Sequence, residues 1–336
     1  MARSRLLPDN FTLALVGTVA AASLLPCEGA VAAGLHRLTA FGIGLLFFLH
    51  GAKLSREAVL AGALHWRLHL LVVGCTFVAF PLFGLALKPL LAPLVTPALY
   101  PGVLFLCALP ATVQSAIAFT SLARGNVPAA VCSASASTML GIFATPLLVR
   151  LLLGLRGGAD LGAVGKLVGQ LFLPFLAGQL ARRWLGPWVD RHQRALSLVD
   201  RGSILLVVYT AFSEAVIEGL WRAVAPSALA GLLAACAALL ALALGLTTLL
   251  ARRLGFSTED EITIVFCGSK KSLASGVPMA NVLFAGGATG AAILPLMVFH
   301  QLQLMVCAVL AQRYARRGEG PPPAAASAGG GPTPPP

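Results

Sequence analysis

The chain has 336 residues, 58% of them hydrophobic and only 11% charged, with a mean hydropathy of +0.87. A soluble globular domain carries about 25% charged residues, so the composition excludes one and points to an all-α polytopic membrane protein. The net charge of +12 would suggest a nucleic-acid partner in a soluble chain. Here the basic residues fall between apolar runs, where they set topology, and no nucleic acid is expected.

In chain order, Arg3 and Arg5 followed by the apolar stretch Phe11 to Leu25 imitate a signal peptide. Pro26 stands before Cys27 where lipoprotein cleavage needs a small residue, so the stretch reads as a first span. About 20 apolar residues cross a bilayer. Ten such spans are expected, at 10–27, 35–52, 66–87, 98–123, 127–153, 162–183, 198–219, 225–250, 259–284 and 289–313. The Pro/Gly/Ala-rich segment 318–336 cannot bury a core and reads as a disordered tail. With the N-terminus inside, 16 lysines and arginines fall in inside segments. Six fall outside: Arg37, Lys88, Arg150, Arg156, Lys166 and Arg222. That excess places both termini in the cytoplasm, in a plasma membrane or bacterial inner membrane. Ten spans divide as five plus five, and an odd number per repeat inverts the second copy. The expected halves are 1–157 and 158–317.

Two spans are interrupted at mid-length by small and polar residues, at matching places in the halves. They are LPATVQSAIAFTSLARGN, Leu109 to Asn126, in the fourth span, and FCGSKKSLASGVPMAN, Phe266 to Asn281, in the ninth. Aligning Gln114 and Ser115 with Lys271 and Ser272 puts Thr112 on Ser269. Pro110 and Gly268 are suitable breakers. A helix broken in the bilayer frees backbone groups that only protein or a water-filled cavity can receive. Paired interruptions of this kind point to a transporter's substrate site.

Lys270 and Lys271 stand where hydrocarbon should be. A charged lysine at the membrane centre costs about 3 kcal/mol on insertion scales, and a buried one can lose its proton near neutral pH. Either can act as a built-in cation or as a proton carrier; structurally, one can instead bond helix-end carbonyls. In the fifth span, Ser133 and Ser137 share a face and either line the cavity or permit close packing. Glu214, inside the seventh span, is a candidate ion-coupling acid. His300, Gln301 and Gln303 in the tenth read as cross-links between helices, and His50 as interfacial. Glu259, Asp260 and Glu261 suit the N-terminus of a helix and need no substrate. The substrate-binding candidates are Thr112, Gln114, Ser115, Ser133, Ser137, Ser269, Lys270, Lys271, Ser272 and Asn281; Lys270, Lys271 and Glu214 are the ion-coupling candidates. The seven cysteines show no metal-binding spacing and most fall in apolar runs, so no metal site is expected. There is no Walker loop, GxGxxG, HExxH or GxSxG, so no enzyme is expected.

At these residues, and at FFLHGAKLSREAVLAGALHWRLHLL from Phe47 to Leu71, the chain resembles the bile acid:sodium symporter family. The SKKSLASGVPM stretch resembles in particular the subgroup holding the family's vertebrate seventh member and its bacterial homologues; the LARGN at Leu122–Asn126 is shared more widely. The resemblance covers roughly residues 10–315. It implies two inverted five-helix repeats: a panel of spans 1, 2, 6 and 7, and a core in which spans 4 and 9 cross where each is unwound. Substrate binds between panel and core. In sodium-coupled members a Ser-Asn pair, hydroxyls, and a Glu and Gln hold sodium. Here the Asn is absent near Gln114-Ser115, Phe266 and Cys267 stand where the Glu would fall, and Lys270-Lys271 replace Gln-Asn. Lysine in place of carboxylate inverts the local charge and should repel sodium. The resulting expectation is a secondary transporter of a small organic anion by alternating access, without a cofactor and with sodium or a proton as any coupling ion. The alternatives are a regulatory membrane protein of ion homeostasis that keeps the transporter fold, and a sodium-coupled symporter using a residual site.

Overall fold

The computed structural model describes residues 10–53, 65–97, 99–154, 162, 165–166, 168–217, 219–284 and 289–317. Arg3 and Arg5, the 157/158 repeat boundary, the tail and residues 54–64 of the Phe47–Leu71 stretch lie outside them. Among the described residues the chain is all-helical, with no strand. The main helices are α1 (Asn10–Leu24), α2 (Gly29–Lys53), α3 (Trp66–Ala86), α4 (Tyr100–Ala108), α5 (Gln114–Leu122), α6 (Val127–Leu153), α7 (Leu173–Arg191), α8 (Gln193–Ile217), α9 (Pro226–Arg253), α10 (Thr258–Gly268), α11 (Leu273–Leu283) and α12 (Thr289–Arg316), with single turns at Lys88–Leu91, Val168–Phe172 and Leu220–Ala223. Six of them, α2, α3, α6, α8, α9 and α12, are long and apolar enough to cross a membrane. This is the architecture of a polytopic membrane protein.

Local chemistry explains the ends that matter. Asn126 caps α6, its side chain accepting from Ala129 N at 3.1 Å, and Gly154 closes that helix at φ +62°. Ser257 caps α10 by accepting from Asp260 N. Two of the three acids of the first turn are held structurally. Glu261 takes a two-pronged bond from Arg252, both contacts 3.0 Å, and a third from the Tyr314 hydroxyl, while Asp260 accepts from Asn126 Nδ2 at 2.9 Å.

In α3, residues Cys75–Ala79 form a π-turn. Phe80 N donates back to Cys75 O, and Pro81, next in that register, has no N–H to offer Thr76 O. The sequence thereby leaves a carbonyl unclaimed deep inside an apolar helix.

The helices sort into two groups. The first is α1, α2, α7 and α8, with α2 packed along α7 and both α1 and α2 along α8. At the α2/α7 crossing the backbones approach through two glycines. A Cβ on Gly178 would lie 1.9 Å from Phe48 O, and one on Gly51 would lie 2.0 Å from Phe175 O. The remaining helices form the second group around α4, α5, α10, α11 and α12, and α8 packs on α11 and α12 where the groups meet.

Candidate functional site

The chain is non-helical from Leu109 to Val113 and from Ser269 to Ser272. The two breaks touch, Ser272 N donating to Pro110 O at 2.9 Å. Gly141 of α6 makes the room, since a Cβ there would lie 2.7 Å from the Pro110 ring. The freed backbone groups find partners in nearby helices. Ala111 N donates to Ser137 Oγ at 2.9 Å, and Ala108 O accepts from Thr145 Oγ1 at 2.9 Å. Gln303 of α12 lies against the second break like a neighbouring strand: its Oε1 accepts from Lys271 N at 2.8 Å and its Nε2 donates to Lys271 O at 2.9 Å. The break survives inside protein because side chains replace the missing helical bonds.

Both lysines are wholly buried, but their surroundings differ. Lys271 Nζ donates to Thr76 O at 2.8 Å, Cys107 O at 2.9 Å and Leu109 O at 2.7 Å, and sits 4.2 Å from the centre of the Phe80 ring. An ammonium has three protons, and each has a carbonyl. Those carbonyls come from the π-turn of α3 and from the C-terminal end of α4, the end that favours a cation. Lys270 Nζ has one long bond, 3.5 Å to Ser115 Oγ, with the Phe119 and Phe266 rings 4.5 and 5.5 Å away.

The opposite helix ends face a cavity of about 260 Å³. Its second-group wall is built from Thr112, Gln114 and Ser115 at the start of α5, from Ser272 and Ser275 at the start of α11, and from His300 of α12. Its first-group wall is Phe11, His50, Asp200, Arg201 and Ile204. Two helix N-termini, the ends that favour anions, therefore open on one chamber between the two helix groups, its walls largely apolar with a few convergent polar groups. Lys53 is ion-paired with Asp200, which also accepts from Gln114 Nε2 at 3.1 Å and so links the groups.

A model of the SBF-like CPA transporter family matches residues 9–316. The chain belongs to the SBF-like CPA transporter family. Among relatives of this SBF-like chain, the Pseudomonas aeruginosa protein named "Uncharacterized protein PA2026" is 70% identical, over 94% of this chain and 96% of its own length. The Escherichia coli (strain K12) protein named "Putative symporter YfeH" is 55% identical, over 93% and 94%. The Xenopus tropicalis "Sodium/bile acid cotransporter 7" is 28% identical, over 91% of each chain. The SBF-like family and these named symporters make the protein a membrane transporter and not an enzyme, and they agree with the bile acid:sodium symporter resemblance.

Of the substrate-site candidates, the structure brings Thr112, Gln114, Ser115 and Ser272 together on the cavity wall. The others lie off it. Ser133 is bonded to His69 Nδ1 at 2.6 Å, Ser137 serves the first break, and Ser269 returns its hydroxyl to Val265 O at 2.6 Å. Lys270 reaches the wall only through Ser115, Lys271 is turned to the carbonyls, and Asn281 sits near the far end of α11. Glu214 is half-exposed and paired with His36 at 3.1 Å, away from the cavity.

Three positions in or beside the cavity wall escape a sequence reading. Asp200, not among the sequence candidates, is 3% exposed: α8 begins at Gln193, a little over a turn before the expected 198, so Asp200 lies within the helix and pairs with Lys53. It, not Glu214, is the buried acid of that helix. His50, in the last turn of α2, is part of the cavity wall. Lys53 is legible only as a topology-setting charge until Asp200 is placed beside it. One usable signal exists: on α2 and α8 these polar residues stand within a turn or two of the apolar face that buries Phe47 and Ile204.

Proposed function

We infer that the protein is a secondary transporter that moves a small organic anion by alternating access, the anion lying between the N-termini of α5 and α11. The observation that carries this reading is the convergence of two positive helix ends, with Thr112, Gln114, Ser115 and Ser272, on a single cavity. A chamber of about 260 Å³ is below the usual range of about 300–1,000 Å³ for drug-sized ligands, which favours a small metabolite over a steroid. The six long apolar helices, α1, α7 and the split pairs α4/α5 and α10/α11 read as ten spans in two inverted repeats, 1–157 and 158–317. In this reading α1, α2, α7 and α8 are the panel, the remainder is the core, and both termini are cytoplasmic at the bacterial inner membrane. The cavity between the groups is then the site that core movement exposes to either side.

The cotransporter names of the vertebrate relatives suggest sodium as the coupling ion. The Lys271 ammonium, held by three carbonyls at 2.7 to 2.9 Å, supports another assignment. Unwound backbone of this kind is what coordinates sodium in broken-helix transporters, and here a resident lysine occupies it. Lys270, joined to the cavity wall through Ser115, is the group left to carry a coupling proton.

The test is thermal stability of the purified protein against a library of organic anions, in sodium or in choline. Stabilisation by an anion, indifferent to sodium, is the expected result. In Lys271→Ala, sodium but not choline should restore part of the lost stability by entering the vacated carbonyl cage. Wild-type stabilisation that requires sodium would overturn the resident-lysine assignment. Failure of every anion to stabilise, joined to absence of uptake in proteoliposomes, would overturn the anion reading.

A further inference from the structure

The anion reading uses one wall of the cavity and leaves the other unexplained. On that wall Asp200 is almost fully buried, and only one of its carboxylate oxygens is occupied: Oδ2 pairs with Lys53 and accepts from Gln114 Nε2. Among the described residues Asp200 Oδ1 has no hydrogen-bond partner, and neither does His50 Nδ1 on the same wall. A buried carboxylate oxygen without a donor is costly. Both residues line the cavity while each orphaned atom is itself closed to water in this state, so a ligand reaches them through a side-chain rotation of Asp200 and His50 that turns the atoms into the chamber. Resting on the anion reading above, we propose that the transported anion carries a hydroxyl or an ammonium group that donates to Asp200 Oδ1, with His50 Nδ1 as its second partner, donating to a hydroxyl oxygen or accepting from an ammonium, while its carboxylate faces the N-termini of α5 and α11.

The charges around the donor subsite decide what it accepts. Lys53 neutralises Asp200, so the subsite needs no second cation and a neutral hydroxyl satisfies it. Arg201 lies on the same wall, stacked 5.6 Å from the centre of the Phe11 ring, and adds positive potential for the carboxylate. A deoxy analogue would leave both orphaned atoms unpaired, which is how a buried polar site discriminates against a ligand that merely lacks one group. Because Asp200 belongs to the first helix group and Gln114 to the second, a donor taken up at Asp200 also bears on the bond that joins them.

The test uses the full chain in lipid nanodiscs and matched carboxylates that differ in one substituent: propionate, lactate and alanine; succinate, malate and aspartate. Dissociation constants come from competition and thermal-shift titration. In at least one series the hydroxyl or ammonium member should bind at least about tenfold more tightly than the unsubstituted acid. His50→Phe, which leaves the ion pair intact, should shrink that ratio, and Asp200→Asn should shrink it further. Lys53→Met should move the preference from the hydroxyl to the ammonium member, since it leaves Asp200 uncompensated. Equal binding of substituted and unsubstituted acids would overturn the donor subsite and leave the anion reading standing. An unchanged ratio in His50→Phe would also overturn it, even if Asp200→Asn fails to fold. No binding by any of the six acids would overturn the donor subsite, while the anion reading is decided separately by the wider anion library and by uptake.

Discussion

Lys270 and Lys271 are adjacent, chemically identical and equally buried, yet the molecule treats them in opposite ways. Lys271 has a carbonyl for every ammonium proton. Lys270 has one hydroxyl at 3.5 Å and two aromatic faces. Unwound backbone sends neighbouring side chains to different sides, so one lysine meets the electronegative end of α4 and the other meets the start of α5 near the cavity. A satisfied buried charge is a structural tie, whereas an under-satisfied one beside a cavity can change its protonation or its partner at small cost. Burial alone does not separate these cases, but the count of acceptors does.

The largest expected effect tests the tie. Lys271→Met leaves three buried carbonyls without a donor and should cost about 3–5 kcal/mol of folding stability, read as a large fall in unfolding temperature in detergent. An unchanged midpoint would break the comparison. Next is Gln303→Leu, which strips both side-chain bonds from the Lys271 backbone while leaving the ammonium cage alone. A loss of about 2 kcal/mol is expected, with Gln303→Glu falling between it and the wild type. Lys270→Met should do the reverse of Lys271→Met. Stability should change by no more than about 1 kcal/mol, in either direction, because the charge removed had little to hold it, while proteoliposome uptake of the anion is lost. If both lysine variants unfold alike, the two are one structural pair. The smallest effect is Ser115→Ala, which removes the bond to Lys270 and the 3.2 Å contact with Thr112. Folding stability should move by about 0.5 kcal/mol, and anion affinity should fall by up to about tenfold.

Part of this site was legible before any coordinates. The polar interruptions at Leu109–Asn126 and Phe266–Asn281 stand out because polar residues at mid-span are costly in lipid, and they do mark the ends of α4, α5, α10 and α11. Thr112, Gln114, Ser115 and Ser272 follow from the same signal. Ser133, Ser137 and Asn281 share its composition but not its place: serine serves equally to line a cavity, to cap a broken backbone or to bond a histidine, and only the neighbours decide which. Asp200 was illegible for the complementary reason. At a helix end a carboxylate looks solvated, and the Gln193 start of α8 together with Lys53 from α2 turns it into a buried pair.

The sequence by itself determined that the chain is a helical membrane protein interrupted at two matching places, since hydropathy, proline, glycine and misplaced charge are local properties that lipid enforces. Pro81 leaves one carbonyl of its helix without a donor, but the π-turn before it, a feature of the structure, decides that this carbonyl is Thr76 O. Only the tertiary structure decided who receives that carbonyl. The Lys271 cage draws its oxygens from α3 and α4 and its backbone support from Gln303 of α12, and the cavity draws its walls from two helix groups. Such partners are set by how helices cross, and helix crossing depends on packing between residues as far apart in the chain as Phe48 and Gly178, which no local pattern encodes.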